Sequence, residues 1–329
     1  MKSPADSRVG YNFACMKNLL IIAMAFFMIA ACTSTPAAST CDRAVFIEHV
    51  ILDVPVEEGG ELMPGTYFTK TWQLLNAGTC DWTEDYALVH TGGDAFGGPK
   101  EVPLAEVAAA EMVDFSLRLT APSQPGTYVG EWMLRNPAGE LFGVGPQGDR
   151  PLVASLVVPE LPTGVVYDFS QVICLARWDS GRATFLPCEG QDDEQGLLEG
   201  YVRAAENGTI EVKPNNQGDA WIAGFFPPIT IQDGDRFRAT VGCVDENPDC
   251  DLVFMLMYRV DAGSQTSPDE VIAGNPLQVS AEQTASFDFD LTWLQGNEVT
   301  FILYAAENGG RSLEARGYWL NSRIESSSQ

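Results

Sequence analysis

Apolar and polar residues alternate along much of the first half of the chain. Phe68, Trp72 and Leu74 fall at a period of two. The same period recurs in two later runs, at Val113, Phe115, Leu117 and Leu119 and at Tyr128, Trp132 and Leu134. Because successive side chains of a strand point to opposite faces, these runs predict half-buried strands. Turn residues separate them, so the first half is predicted to be an antiparallel sandwich.

The second half repeats this strand pattern. Alternation runs through Phe237, Ala239, Val241 and Cys243, and again through Phe287, Phe289 and Leu291. Residues 252–260 are apolar on both faces, and residues 299–305 and 318–324 complete the set. No segment has a convincing apolar stripe at helical spacing. The sequence therefore predicts an all-β protein of two β-sandwich domains, the second resembling a jelly roll.

Breaks in composition divide the chain into segments. The small, polar run TSTPAAST at 33–40 suits a flexible stalk, and the proline-containing run PELPTG at 159–164 ends a strand. The predicted segments are an upstream piece and signal peptide (1–31), a lipidated Cys and stalk (32–40), a first domain (41–158), a linker (159–164), a second domain (165–325) and a tail (326–329).

The first domain resembles a known family. The landmarks are FTKTWQLLNAGTCDW at 68–82, Ala121-Pro122, Gly126-Thr127-Tyr128, Trp132 and GELFG at 139–143. They are similar to the immunoglobulin-like four-tryptophan domain of selective-autophagy cargo receptors, which is also widespread in bacterial surface proteins. Trp72, Trp82 and Trp132 match three of its tryptophans, whereas Leu152 stands at the fourth. The resemblance implies an Ig-like interaction or spacer module without catalytic residues.

The second domain resembles the jelly-roll carbohydrate-binding modules attached to bacterial glycosidases. The landmarks are GDRFRATVGC at 234–243, the strands at 253–258 and 299–303, and WLNSRI at 319–324. An Asp and a small residue usually precede the final Trp in those modules, whereas Arg316-Gly317-Tyr318 does so here. The resemblance implies a sugar-binding domain. It does not predict whether the residues before Trp319 contact a ligand.

Net charge restricts the partners. Lys and Arg total 19 against 45 Asp and Glu, giving a formal net charge of -26. Such a field repels nucleic acid, so DNA and RNA binding are not expected. The acids are spread along the chain, which is typical of a well-solvated extracellular surface.

The N-terminal region predicts export and a lipid anchor. From Met16 the chain reads MKNLLIIAMAFFMIAAC, a positive residue followed by an apolar run too short to span a bilayer comfortably. The end, Ile29-Ala30-Ala31-Cys32, resembles the lipobox of bacterial lipoproteins, whose Cys receives a diacylglyceryl group. This resemblance implies a lipid on Cys32 and an extracytoplasmic location at the bacterial cell envelope.

Six further cysteines of the exported region predict disulfides. Six cysteines allow 15 connectivities, and proximity along the chain favours Cys41 with Cys80, Cys174 with Cys188, and Cys243 with Cys250. The bacterial four-tryptophan domains commonly carry the first of these pairs. Zinc binding is the alternative, and no CxxC spacing supports it.

No catalytic constellation stands out. The chain has two histidines, His49 and His90, and no GxSxG, HExxH or glycine-rich phosphate loop. A pair of carboxylates could still form a small glycosidase. Two acidic stretches, at 192–194 and 245–251, could hold calcium, although we favour solvated turns as their explanation. We predict no enzyme, no cofactor and no assigned metal ligand.

Sugar binding by a sandwich usually requires exposed aromatic rings beside hydrogen-bonding groups. Trp221, in the turn-rich stretch 215–228, is the first candidate for such a platform, followed by Trp178 and Trp319. The leading hypothesis is a non-catalytic envelope lipoprotein with a spacer or protein-contact domain and a carbohydrate-binding domain. The alternatives are a structural or protein-adhesion lipoprotein, favoured if the three tryptophans are buried, and a small hydrolase, favoured if two carboxylates share a deep cleft.

The lipid anchor gives the first testable prediction. Cys32→Ser removes the thiol that would carry the lipid, so the variant should lose the mass of a diacylglyceryl group and leave the detergent phase in a partitioning experiment. Mass spectrometry of the N-terminal peptide checks the modification. A Cys32→Ser variant that stays in the membrane fraction like the parent chain would contradict the lipobox interpretation.

Overall fold

The computed structural model describes residues 41–50, 59–191, 193–216, 220–244, 248–260, 270–309 and 314–326. The predicted signal peptide, Cys32 and the stalk at 33–40 lie outside the described residues. Among the residues it describes, no helix is long and apolar enough to cross a membrane. The described chain is almost entirely β-structure, which confirms the all-β prediction.

Nine strands form the first sandwich. Their bounds are β1 Ala44–Val50, β2 Gly60–Glu61, β3 Tyr67–Asn76, β4 Ala87–Gly93, β5 Glu101–Pro103, β6 Met112–Thr120, β7 Gly126–Arg135, β8 Leu141–Phe142 and β9 Leu152–Val158. One sheet has the order β1-β3-β6, and the other has the order β2-β9-β7-β4-β5 with β8 paired to β7. All pairings are antiparallel except that of β2 with β9.

Large aromatic side chains fill the first sandwich. Trp72 and Trp132 are buried with ring centroids 5.4 Å apart, and Trp82 packs on Phe142 at 6.0 Å. The Trp72 indole N–H donates to the carbonyl of Val153 at 2.9 Å, which ties β3 to the opposite sheet. The three tryptophans predicted from the sequence therefore form the core that joins the two sheets.

The second sandwich begins at Val165, shortly after β9 ends. Its strands are β10 Val165–Asp168, β11 Arg177–Ser180, β12 Tyr201–Ala205, β13 Thr209–Lys213, β14 Trp221–Phe225, β15 Ile229–Thr230, β16 Asp235–Cys243, β17 Asp251–Val260, β18 Val271–Ile272, β19 Leu277–Ser280, β20 Thr284–Asp290, β21 Glu298–Glu307 and β22 Gly317–Ser326. The helical elements are α1 Glu194–Glu199 and the 3-10 segments Phe169–Leu175, Glu206–Gly208 and Thr292–Leu294.

Two antiparallel sheets make up this sandwich. One has the order β12-β13-β22-β16-β20 with β10 paired to β22. The other, the seven-stranded sheet, has the order β11-β14-β21-β17-β18, with β15 paired to β21 and β19 paired to β17. Phe169, Phe237, Phe254 and Trp319 are buried between them. Residues 252–260, which the sequence shows to be apolar on both faces, lie in β17 near the middle of the seven-stranded sheet.

The two sandwiches touch along a short strip of backbone. The Tyr67 backbone N–H donates to the carbonyl of Pro228 at 3.0 Å, and the Tyr67 hydroxyl lies 3.0 Å from the Thr230 hydroxyl. Arg118 of β6 also forms an ion pair with Glu298 of β21. These contacts join β3 and β6 of the first sandwich to β15 and β21 of the second.

Three disulfides close loops of different length. They join Cys41 to Cys80, Cys174 to Cys188 and Cys243 to Cys250, across 39, 14 and 7 residues respectively. The structure thus contains the pairs that proximity along the chain favours, and these six cysteines are disulfide-bonded instead of being free as zinc ligands.

Loop length predicts how much each disulfide stabilises the fold. In the chain-entropy model, closing 39 residues stabilises by about 4 kcal/mol and closing 7 residues by about 2 kcal/mol. Replacing Cys41 and Cys80 together by Ser should therefore lower the free energy of unfolding more than the same change at Cys243 and Cys250. Denaturant titration of the two double variants measures the difference. Equal losses, or free thiols in the parent chain, would contradict this prediction.

Candidate functional site

The outer face of the seven-stranded sheet carries the candidate site. Successive residues of each strand alternate between the core and this face, so the residues outside the core cluster point outwards. Trp221 and Phe225 of β14, Tyr304 of β21 and Arg177 of β11 share this face with Arg259 of β17. Strands that are far apart in sequence thus bring aromatic and cationic side chains onto one surface.

Trp221 and Tyr304 form an aromatic pair on this outer face. Their ring centroids are 6.0 Å apart and the ring planes differ by 17°. Trp221 is partly exposed, as a sugar platform requires, and its backbone N–H donates to the Asn215 side chain at 3.2 Å. The sequence placed Trp221 in a turn-rich stretch, whereas the structure places it at the start of β14. Asn215 and Asn216 precede this short strand and Pro227 and Pro228 follow it, whereas Gly224 lies within it.

The other two tryptophans proposed as platforms are core residues, and this part of the prediction is wrong. Trp178 and Trp319 are 1% and 0% exposed. The Trp178 indole N–H donates to the carbonyl of Ile173 at 2.9 Å, and the Trp319 ring stacks on Phe287 at 5.3 Å. Both lie at strand positions whose side chains face the core. The alternation in the sequence shows that a strand has two faces but does not show which of them is solvated.

A cleft lies where the outer face meets the first sandwich. Its volume is about 350 Å³, which is within the size range of small-molecule sites. The first sandwich contributes Tyr67, Phe68, Thr69 and Arg118, and the second contributes Leu175, Arg177, Phe185, Phe225, Phe226, Pro227, Pro228, Arg259 and Thr300. The cleft therefore exists only because the two sandwiches are held together.

Three arginines line this cleft without any lining carboxylate among the described residues. The guanidinium carbons of Arg177 and Arg259 lie 4.3 and 5.9 Å from the centroid of the Phe225 ring. Arg177 pairs with Asp179 at 3.1 Å, whereas Arg118 pairs with Glu298. Cation–π contacts and flanking acids thus hold two of the three guanidinium groups at the rim.

Arg259 is the exception among these arginines. Within the described residues, no ion pair is found for it, and its buried Nε–H has no hydrogen-bond partner. Leaving a buried donor unsatisfied costs about 1–3 kcal/mol, and more when the group is charged. Arg259 therefore lines the cleft as a cation without a carboxylate partner among the described residues.

Phe185 stands at the rim of the cleft and was not predicted from the sequence. Its side chain is 74% exposed although phenylalanine is apolar, and the Arg177 guanidinium lies 5.7 Å from its ring centroid. Its backbone φ is 58°, a left-handed conformation that costs about 1–3 kcal/mol in a bulky residue. The backbone N–H of Phe185 donates to Asp179 Oδ1 at 3.0 Å and holds this conformation. The sequence feature that could have indicated Phe185 is its place as an apolar residue in the short loop closed by Cys174 and Cys188.

Other carboxylates lie away from this cleft. A separate cavity of about 240 Å³ is lined by Glu189, Asp193 and Glu199, each of which accepts a hydrogen bond from the protein. Burial raises the pKa of Glu307 to about 7, and the nearby Lys213 opposes this rise. Glu307 lines neither this cavity nor the interdomain cleft.

The acidic stretches considered for calcium have structural roles where they are described. Asp193 accepts a hydrogen bond from Gly196 N at 2.9 Å as the N-cap of α1. Asp251 accepts hydrogen bonds from Gln278 at 2.8 Å and Asn308 at 3.1 Å. Asp192 and residues 245–247 lie outside the described residues, and we assign no metal site.

The first sandwich carries a second, apolar groove. Its volume is about 550 Å³, and its lining includes Phe46, Trp72, Pro146, Pro151 and Leu152. Leu152 is the position at which the resemblance expects a fourth tryptophan, and it is buried beside Trp72. The smaller side chain thus lies next to a depression in the surface between β1 and β9.

Comparison with protein families finds a match within the first domain. The family model described as an Ig-like domain from next to BRCA1 gene matches residues 55–152. Protein ILRUN of Danio rerio is 36% identical over 91 residues, which cover 28% of this chain and 32% of that protein. The NBR1 homolog of Arabidopsis thaliana is 30% identical over 115 residues, which cover 34% of this chain and 16% of that protein. The chain thus spans a third or less of these two relatives.

Solved structures with some similarity include carbohydrate-binding modules. The family 22 carbohydrate binding module of Clostridium thermocellum Xyn10B has a TM-score of 0.31 and 12% identity, and the match covers 51% of this chain and 98% of that one. TmCBM61 in complex with β-1,4-galactotriose has a TM-score of 0.26 and 5% identity, covering 42% of this chain and 80% of that one. Similarity at this level transfers no ligand. The family match shows an Ig-like domain at residues 55–152.

Proposed function

We propose that this chain is a non-catalytic, lipid-anchored envelope protein whose second sandwich binds carbohydrate. The observation that carries the proposal is the outer face of the seven-stranded sheet, which runs from Trp221 and Tyr304 to the aromatic, arginine-lined cleft. A sugar offers apolar ring faces and polar edges together. Binding sites for it combine aromatic surfaces with hydrogen-bond donors, and this face presents both.

The layout of the face suits an extended ligand. Ala223 and Tyr304 are register partners, as are Phe225 and Ile302, so Tyr304 lies one row from the cleft residue Phe225 and Trp221 lies two rows from it. Rows on one face of a strand are separated by roughly 7 Å, because each residue advances about 3.3 Å. A chain of several sugar rings can therefore contact Trp221 at one end and the cleft at the other.

We assign binding rather than hydrolysis to this face. Glycosidases place two carboxyl groups about 5 to 10 Å apart on either side of the scissile bond. Among the described residues that line the cleft there is no Asp or Glu. The proposal therefore gives the cleft a recognition role, with the first sandwich and the lipidated stalk holding it away from the membrane.

A protein-adhesion function is the second candidate. The apolar groove beside Leu152 in the first sandwich favours it, because exposed apolar surfaces of this kind mark contact sites for other proteins. The two candidates use different surfaces. Loss of ligand binding when Trp221 is substituted supports carbohydrate binding. Loss of ligand binding when residues of the groove are substituted supports adhesion.

The carbohydrate proposal predicts a selective loss of binding. Trp221→Ala and Tyr304→Ala should each weaken retention on an immobilised polysaccharide panel by about tenfold or more, because a lost aromatic platform removes its stacking surface. Affinity electrophoresis of the full chain in detergent measures retention. Trp293→Ala is the matched control, since Trp293 is 57% exposed in the connection between β20 and β21 and packs on Tyr258 instead of Tyr304.

Stability measurements separate binding from folding in these variants. Trp319→Ala empties a fully buried site and should cost about 3–5 kcal/mol of unfolding free energy. The partly exposed Trp221 should cost clearly less when truncated. If no polysaccharide binds the parent chain, or if Trp293→Ala weakens retention as much as Trp221→Ala, the carbohydrate proposal is wrong.

A further inference from the structure

The interdomain cleft has an electrostatic character opposite to that of the whole chain. The chain has 19 basic residues and a formal net charge of -26, yet three arginines converge on one cleft of about 350 Å³. They come from β6 of the first sandwich and from β11 and β17 of the second. Screening by salt limits the repulsion from distant acids to roughly 8 Å at physiological ionic strength, so the nearby arginines dominate inside the cleft.

Two of these arginines are balanced by acids, and the third is not. Arg118 pairs with Glu298 and Arg177 with Asp179. Arg259 has no ion pair within the described part of the chain, and its buried Nε–H has no acceptor there. The three lining guanidinium groups therefore have two partner carboxylates, which leaves one positive charge uncompensated among the described residues. The charge that is missing from the cleft is therefore negative.

The shape of the surrounding side chains restricts the anion. Arg259 and Arg177 both lie over the Phe225 ring, and the exposed Phe185 ring flanks them. A guanidinium group matches a carboxylate with two parallel hydrogen bonds, while an aromatic ring contacts the apolar face of a sugar. A sugar that carries its own carboxylate satisfies both groups at once.

We propose that the cleft binds the carboxylate of a uronic acid residue in an acidic polysaccharide, with Arg259 as the principal contact. This inference rests on the proposed carbohydrate function and names the class of its ligand. Arg177 assists from the rim, and Phe185 contacts the ring. The rest of the polymer lies along the outer face towards Tyr304 and Trp221.

Uronate polymers and their methyl esters test the inference, because esterification removes the charge and keeps the sugar ring. The full chain in detergent is titrated with polygalacturonate, alginate and hyaluronan, each paired with its methyl ester. At least one acid form should bind about tenfold or more tighter than its ester, as expected for a charge-assisted hydrogen bond. The preference should shrink as salt is raised.

Charge-removing variants locate the effect. Arg259→Gln should abolish the preference for the acid form and leave binding of the ester unchanged. Arg238→Gln removes the same charge from the opposite sheet, where Arg238 pairs with Glu325 at 2.6 Å, and should keep the preference. Arg177→Gln provides a second test at a more exposed site and should weaken the preference, so the inference stays testable if Arg259→Gln does not fold.

The outcomes distinguish the two proposals. Equal binding of acid and ester forms, with binding that still depends on Trp221, overturns the acidic-sugar inference and leaves carbohydrate binding intact. A preference for the acid that survives both Arg259→Gln and Arg177→Gln also overturns the inference. The absence of binding to every charged or neutral polymer overturns both proposals.

Discussion

The hydrogen bond from Tyr67 N to the carbonyl of Pro228, 3.0 Å long, is the contact on which the candidate site depends. It holds the start of β3 against the connection that leads into β15, and the ion pair of Arg118 with Glu298 supports it. The hydroxyl groups of Tyr67 and Thr230 add a further contact, and together these contacts give the cleft walls from both sandwiches. The proposed recognition site is thus built by both domains, because the Ig-like domain supplies one wall of the cleft.

Strand geometry gives the two faces of the seven-stranded sheet different surroundings. On β21, Phe301 and Leu303 point into the core, while Ile302 and Tyr304 point to the outer face. The inward residues stabilise the sandwich. Of the two outward residues, Tyr304 is partly exposed, whereas Ile302 is 1% exposed and is covered by its neighbours. This explains why Trp319 and Trp221, both tryptophans in strands of the same domain, have such different roles.

The sequence predicts the fold better than the site. Alternation at a period of two gives the strands, and the tryptophans of the first domain give its core, because burial imposes local patterns. The cleft has no such local pattern, since Arg118, Arg177 and Arg259 lie on strands of two sandwiches. Trp178 is buried because its side chain is on the core face of its strand, and Phe185 is exposed by a left-handed backbone conformation. Both features depend on the packing of neighbouring strands.

The location of a bound saccharide tests the central claim, that the outer face of the seven-stranded sheet and the interdomain cleft form one binding surface. A crystal structure of the chain with an oligosaccharide selected from the polymer panel gives this location directly. We expect density for sugar rings over Trp221 and Tyr304 that continues towards Arg259. Density in the groove beside Leu152, or on the sheet that contains β16 and β22, would contradict the account.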